Sequence, residues 1–370
     1  MLHNEGTANF KYVLAWDQPR ELRQMKTRTQ KIFLDDCGSF LGRGKGCLIV
    51  RGRNGKVEKY PLFEDEIGEV HIRIGNSVSS AALATCAFWG IDTLILTQRG
   101  NPVAVVKSLK DDSHVKTRIC QYESLKNGKG IEIARQIVLG KVQGQNYILR
   151  KYGFSQHDLM RIKDIVNGVE SKDLRILRNR LTAIEGHATN NYFRQIFQLL
   201  PMAISIERRR TFKAYDGINN TFNLAYTLLK WKVYRAIVKA KLEPYLGFLH
   251  SEQFGKPSLV CDLMELYRYL IDDFIIQYCK NLRKRDFSMV SEDFSYNRKG
   301  KREYLKKPLA KDMMKSLNAF FETMLDIPRV KHGSKQAVET LINEDASMLA
   351  RYLRNEKKNW IPRIATLSQR

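Results

Sequence analysis

Two patterns of apolar and polar positions follow one another along the chain. From Lys31, short β-type runs alternate with turn residues: Lys31-Ile32-Phe33-Leu34, the turn Asp36-Cys37-Gly38, Gly46-Cys47-Leu48-Ile49-Val50-Arg51, the turn Arg53-Asn54-Gly55, then runs starting at Lys56 and Glu69. Asn-Gly tolerates positive φ, so Arg53-Asn54-Gly55 predicts a hairpin closed by a type I′ turn. An Ala-rich stretch from Ser77 to Trp89 predicts one helix, and Thr93–Leu96 and Pro102–Val106 predict two more strands. Beyond Lys107 the strand signals nearly vanish and apolar residues recur at helical spacing, as in Leu177, Leu181, Ile184, Ala188, Tyr192 and Ile196. Helices are predicted over roughly 115–126, 130–152, 156–167, 171–200, 219–243, 258–283, 309–325 and 334–356. Phe222 to Leu242 is apolar around most of its circumference, which predicts a central helix.

The fold class read from this pattern is α+β, a small β-rich domain followed by a larger all-α one. A polar extension covers 1–30, the β domain 31–107, a polar linker 108–114, the helical domain 115–330 and a helical tail 331–370. At 370 residues the chain is long enough for two domains, and 43% hydrophobic with 28% charged residues excludes a disordered or low-complexity scaffold. No segment is apolar enough to span a membrane, and the six cysteines lack metal-ligand spacing, so free thiols in a reducing cytoplasm are expected.

Charge narrows the partners. Sixty-three Lys and Arg against thirty-nine Asp and Glu leave +24, a surface suited to a polyanion such as nucleic acid. Two basic clusters stand out: Arg208, Arg209 and Arg210, and the stretch Lys280 to Lys307, with Arg283, Lys284, Arg285, Lys299, Lys301 and Arg302. The second interleaves Phe287, Phe294, Tyr296 and Tyr304, which pairs phosphate contact with base stacking; the plain alternative is a solvated loop.

Carboxylates sit where apolar faces are expected. Glu185 lies beside Ile184 one turn after Leu181, and an unpaired carboxylate there needs a partner. Asp262 and Glu265, three residues apart, emerge on one side of a helix, and His250 lies in the loop leading into it. Carboxylates plus an imidazole suit Mg²⁺ or Mn²⁺ and phosphodiester chemistry, although Asp-x-x-Glu alone is common on solvent-facing helices. No phosphate-binding GxxxxGK[ST] loop is present.

The residues Ala183-Ile184-Glu185-Gly186-His187-Ala188-Thr189-Asn190-Asn191-Tyr192-Phe193 resemble the Glu-Gly-x-Ala-x-x-x-Tyr-Phe motif of the CRISPR-associated integrase/endonuclease of the adaptation module, the first of the universal Cas proteins. Asp216 to Tyr226, His250, and Ser258-Leu259-Val260-Cys261-Asp262-Leu263-Met264-Glu265 resemble that family's later motifs in order, and Gly75 to Leu83 and Gly90-Ile91-Asp92 its N-terminal half. The resemblance implies a β-sandwich-like dimerisation domain joined to a helical catalytic domain that binds one divalent metal. It implies Glu185, His250 and Glu265 as ligands, with Asp262 beside them, either supporting a ligand or facing substrate. It also implies joining of 3′-hydroxyl ends of short foreign DNA to a CRISPR repeat, in a homodimer assembled with the second universal Cas protein, a small ferredoxin-like dimer. His187 reads as a surface residue rather than a ligand, Tyr192 as core rather than site lining, and Cys261 as packing. Two other readings stand beside this one: tyrosine-type strand exchange through Arg208, His250 and Tyr267, and a non-catalytic nucleic-acid-binding scaffold. A membrane-surface role finds no continuous apolar face to support it.

Overall fold

The computed structural model describes residues 30–62, 67–89, 91–106, 115–169, 174–295, 298–326 and 335–366, so all of the extension 1–30 except Gln30, which begins a strand, and the linker 108–114 lie outside the described residues. The chain divides into two compact units, one ending at Asp111 and one starting at Asp112.

The first unit contains β1 (Gln30–Leu34), β2 (Phe40–Gly44), β3 (Cys47–Arg51), β4 (Val57–Pro61), β5 (Ile67–Arg73), β6 (Ser77–Val78), α1 (Ser80–Phe88), β7 (Asp92–Leu96) and β8 (Pro102–Val106). They form two four-stranded sheets ordered β4-β3-β2-β6 and β1-β5-β7-β8. Ile32, Leu34, Val70 and Ile72 of one sheet share a core with Leu41, Leu48 and Val50 of the other, joined by Ala82 and Cys86 of α1. Ser79 caps α1 by accepting the Ala82 N–H at 3.1 Å.

The β3–β4 hairpin forms as expected, but its turn differs. Only Gly55 has positive φ (78°), and the Gly55 N–H donates to Gly52 O at 3.0 Å. Arg53 and Asn54 therefore make an ordinary type I turn followed by a left-handed glycine, the three-residue hairpin loop, not type I′. Strand β2 escaped the periodicity reading because glycines hold two of its five positions.

The second unit contains α2 (Val115–Ser124), α3 (Lys129–Lys151), α4 (Leu159–Gly168), α5 (Leu174–Ile196), α6 (Gly217–Lys239), α7 (Ser258–Met264), α8 (Arg268–Cys279), β9 (Phe287–Ser295), β10 (Arg298–Leu305), α9 (Lys307–Phe321), β11 (Met324–Asp326), β12 (Lys335–Ala337) and α10 (Val338–Leu353). Asp216 starts α6 by accepting the Asn219 N–H at 2.7 Å, and α6 runs buried through the unit against α7, α8, α9 and α10.

Two expectations are corrected here. The basic stretch after Lys280 is not a loop: β9 and β10 pair antiparallel, with the buried pair Phe287 and Leu305 at the base. The Phe287 ring lies so close to Gly217 that no side chain would fit there. The helix expected over 258–283 is broken after Met264. Glu265, Leu266 and Tyr267 donate their N–H groups to carbonyls three residues back, and regular helix resumes at Arg268. The break turns Glu265 toward α3 and sends Tyr267 into the interior, 1% exposed.

Candidate active site

Three segments build the acidic centre. Helix α5 buries Leu177, Leu181, Ala188, Tyr192 and Ile196, and Glu185 falls at the edge of that face, its side chain 16% exposed. The α7–α8 break supplies Glu265, 4% exposed. Helix α3 supplies Lys141, a residue the sequence reading passed over, whose Nζ pairs with Glu185 Oε1 and lies 2.6 Å from Glu265 Oε2. Four residues further along each helix, Gln145 Nε2 donates to Thr189 Oγ1 at 3.0 Å, so α3 and α5 run parallel at this contact. Thr189 Oγ1 in turn donates to Glu185 Oε1 at 2.8 Å.

Glycines let α3 come this close. A Cβ on Gly140 would stand 2.7 Å from Leu266 Cδ2, and one on Gly144 would strike the Tyr269 ring. Glu265 also faces Arg268, whose Nη2 lies 3.1 Å from Oε1. Burial would push the Glu265 pKa up, but Arg268, then Lys141, outweigh it and hold the carboxyl at about 2. Arg268 lies 4.9 Å from the Tyr226 ring centroid, and Tyr226 donates to Asp272. Tyr192 donates to the other oxygen of Asp272 at 3.0 Å, so it belongs to the interior.

His250 is held from behind. Asp262 is fully buried and its carboxylate accepts the N–H groups of Phe248, Leu249 (3.0 Å) and His250 (2.8 Å) and the His250 ring Nδ1–H (2.7 Å). Asp262 therefore sits behind His250, with its carboxylate turned to the loop backbone and to the ring. With Nδ1 as donor, Nε2 keeps its lone pair free for a ligand. Arg178 of α5 fastens the same loop, donating to Phe248 O at 2.8 Å and to Gly247 O.

The other candidates fall into distinct places. Arg208, Arg210, Arg283, Lys284, Arg285 and Lys301 are exposed, and Arg302 is half-buried 5.9 Å from the Tyr215 ring centroid. The side chain of Lys299 lies outside the described residues. Arg209 does not belong to a DNA-facing set: its guanidinium turns inward, donating to Asn219 Oδ1 (2.9 Å) and Asn223 Oδ1 (2.7 Å) and stacking against Phe222 and Tyr226. His187 is exposed, and Cys261 is half-buried on α7. All six cysteines carry free thiols. The tyrosine-exchange reading fails on Tyr267, which is buried and gives its hydroxyl to Asp345 at 2.9 Å.

Among the described residues, no three acidic, histidine or cysteine side chains gather around one point as metal ligands. The two carboxylates gather around an ammonium instead. Glu265 Oε2 is buried and meets Lys141 Nζ at 2.6 Å. A buried carboxylate oxygen whose partner is an ammonium, a second carboxylate sharing the same cation and an imidazole close enough to help lower the Glu265 pKa form a donor set that fits a hard divalent cation. No described helix is long and apolar enough to cross a membrane.

A unit of two β-sheets followed in the chain by a helical unit holding a buried, cation-centred pair of carboxylates defines a two-domain α+β protein. Residues 32–308 match the family model described as CRISPR associated protein Cas1, and the chain belongs to that family. It is 29% identical over 280 residues to a CRISPR-associated endonuclease Cas1 of Korarchaeum cryptofilum, covering 71% of this chain and 81% of the relative. It is 30% identical over 257 residues to one from Pyrobaculum aerophilum, covering 67% and 81%. Among solved structures, a Cas1 protein from Thermotoga maritima superposes with a TM-score of 0.70 at 19% identity, covering 88% of this chain and 97% of that one. A casposase bound to integration product gives 0.59 at 18% identity, covering 90% and 98%. The α+β class expected from the sequence is the fold observed.

Proposed function

We propose that this protein is a metal-dependent DNA integrase and endonuclease of CRISPR adaptation, joining 3′-hydroxyl ends of short foreign DNA fragments to a CRISPR repeat. The observation that carries the reading is the pair Glu185 and Glu265, drawn from two helical segments onto one buried cation, near the His250 loop that Asp262 fastens from behind. Relatives named as endonucleases and the fold shared with a casposase support it.

Glu185, Glu265 and His250 Nε2 would hold Mg²⁺ or Mn²⁺, which when bound polarises the phosphodiester and offsets the charge building on it. Arg268 keeps Glu265 ionised at any working pH, its pKa being held at about 2. Asp262 fixes the ring of His250 so that its free nitrogen faces away from the loop backbone. In the joining step the fragment's 3′-hydroxyl gives up its proton and its oxygen bonds to a repeat phosphorus, while the bond from that phosphorus to the 3′-oxygen already on it breaks and that oxygen takes up a proton. One phosphodiester is exchanged for another, so no nucleotide is consumed. Arg208, Arg210, Arg283, Lys284, Arg285 and Lys301, all exposed, supply positive charge for DNA backbone. We assign the first unit to homodimerisation and the second universal Cas protein as partner; a Cas6-RT-Cas1–Cas2 complex contains a chain of which 36% superposes on 92% of this one, with a TM-score of 0.69 at 19% identity.

The test is joining of a labelled 3′-hydroxyl fragment to a repeat-containing duplex. Glu185→Gln and His250→Ala are expected to lower the rate at least 100-fold, and EDTA to abolish it with recovery on adding Mn²⁺. DNA binding should stay within a few-fold. Joining that persists in EDTA or in both variants would leave a non-catalytic basic scaffold as the better description.

A further inference from the structure

We propose that Lys141 is a placeholder for the divalent metal: in the metal-free protein its ammonium holds Glu185 and Glu265 together, and it must leave when the metal enters. The proposal rests on the metal reading above and adds a residue that works against metal binding.

Charge balance is the first argument. Glu185 and Glu265 face Lys141 and Arg268, two carboxylates against two cations, with the four side chains between 4% and 30% exposed. Asp272, buried behind Arg268, brings the count to three carboxylates against two cations, so adding a dication would leave one uncompensated positive charge in a largely dehydrated space, where repulsion is far stronger than in water. One resident cation has to give way.

Geometry decides which one. Arg268 is held from several sides: it grips Glu265 Oε1 at 3.1 Å, packs over the Tyr226 ring and feels the charge of Asp272 behind it. Lys141 is held mainly by the two carboxylates themselves. Its four-carbon stem can swing away. The helix beneath it stays in place, because Gly140 packs against Leu266 and Pro362 and Gly144 against Tyr269. The movement is therefore of one side chain, leaving both carboxylates where they stand.

Removing the ammonium should then strengthen metal binding, whereas a lysine that merely shapes the site would weaken it when removed. In the full-length, metal-stripped protein, Mn²⁺ titrated calorimetrically should bind Lys141→Met at least tenfold tighter than wild type. The metal-free variant should melt at a lower temperature and be raised more by saturating Mn²⁺. A folded Lys141→Met with equal or weaker Mn²⁺ affinity overturns the proposal. If Lys141→Met does not fold, the wild type supplies a second measurement, reductive methylation of lysines followed by mass spectrometry. Lys141 should label slowly without metal and several-fold faster with Mn²⁺, and equal rates overturn the proposal. Wild type that binds no Mn²⁺, or Glu185→Gln and His250→Ala that both bind it normally, would instead sink the metal reading and the placeholder with it.

Discussion

Asp262 accepts four donors at once, three of them consecutive backbone N–H groups from Phe248 to His250 and the fourth the His250 ring itself at 2.7 Å. The carboxylate thus sets both the path of the loop and the tautomer of the ring. In Asp262→Asn the amide nitrogen would point a donor at donors, and the ring would lose its orienting charge. We expect a 10- to 100-fold loss of Mn²⁺ affinity and of strand joining, the range seen when a metal-bound histidine loses its carboxylate partner. Calorimetry and the joining assay measure the two separately; values equal to wild type would remove Asp262 from this role.

The close approach of α3 to the α7–α8 break gives a stability prediction with an internal control. Gly144→Ala forces a methyl into the Tyr269 ring and should destabilise the fold by about 1–3 kcal/mol. Gly186→Ala, beside Glu185 but with open space around its Cβ position, should be neutral or stabilise by up to about 1 kcal/mol through helix propensity. Urea midpoints that rank the two the other way round would contradict the packing described.

Three adjacent arginines should behave differently. Arg209→Ala breaks hydrogen bonds to Asn219 and Asn223 and vacates the faces of Phe222 and Tyr226, so the melting temperature should drop. Arg208→Ala and Arg210→Ala, at exposed positions, should melt like wild type but bind DNA more weakly, each flattening the dependence of log affinity on log salt by about one. Equal melting temperatures for all three would show that Arg209 is not committed to the interior.

Asp345 carries a pH prediction. It is fully buried, accepting from Tyr267 at 2.9 Å and Arg363 at 3.0 Å. Burial raises its pKa to about 6, against the opposing pull of Arg363 and of the Tyr267 hydrogen bond. The folded state therefore binds a proton more readily than the unfolded chain, whose carboxyl titrates near 4. This contribution to stability is complete below about pH 4 and is lost as pH rises through about 6. Asp345→Asn should remove that part of the slope, read as the difference in urea midpoint between pH 4.5 and pH 7. An unchanged difference would show that the group does not titrate in this way.

The chain exposed its helices and its acidic residues more readily than the contacts between them. Helices such as α3, α5 and α6 carry long apolar faces, and their periodicity places them within a few residues. The β9–β10 hairpin gave no such signal because the charges crowded into Arg298-Lys299-Gly300-Lys301-Arg302-Glu303 hide the second strand's alternation, while the buried pair Phe287 and Leu305 that anchors it lies 18 residues apart in the sequence. The break at Glu265 was hidden for the opposite reason: residues on both sides are apolar, so the run reads as one helix. Glu185, His250, Asp262 and Glu265 were found as residue types in a suspicious setting. Lys141 was not, although it sits within Ile137-Val138-Leu139-Gly140 and Val142, an apolar neighbourhood in which a lysine needs a buried partner. Which residue answers it 44 positions later is a fact of helix packing that no local pattern carries.

The residues behind the α7–α8 break come from far along the chain. Tyr269 gives its hydroxyl to Ala365 O at 2.8 Å across 96 residues, Pro362 rests near Gly140, and Arg363 and Trp360 secure Asp345. During synthesis, α3, α5 and the segment with Glu265 are all made well before those supports exist. The packing behind the acidic centre is thus completed by Pro362 and Ala365, which lie far beyond Glu265 in the chain. A half-made chain would carry every acidic residue of the site without the bracing that holds Glu265 against α3.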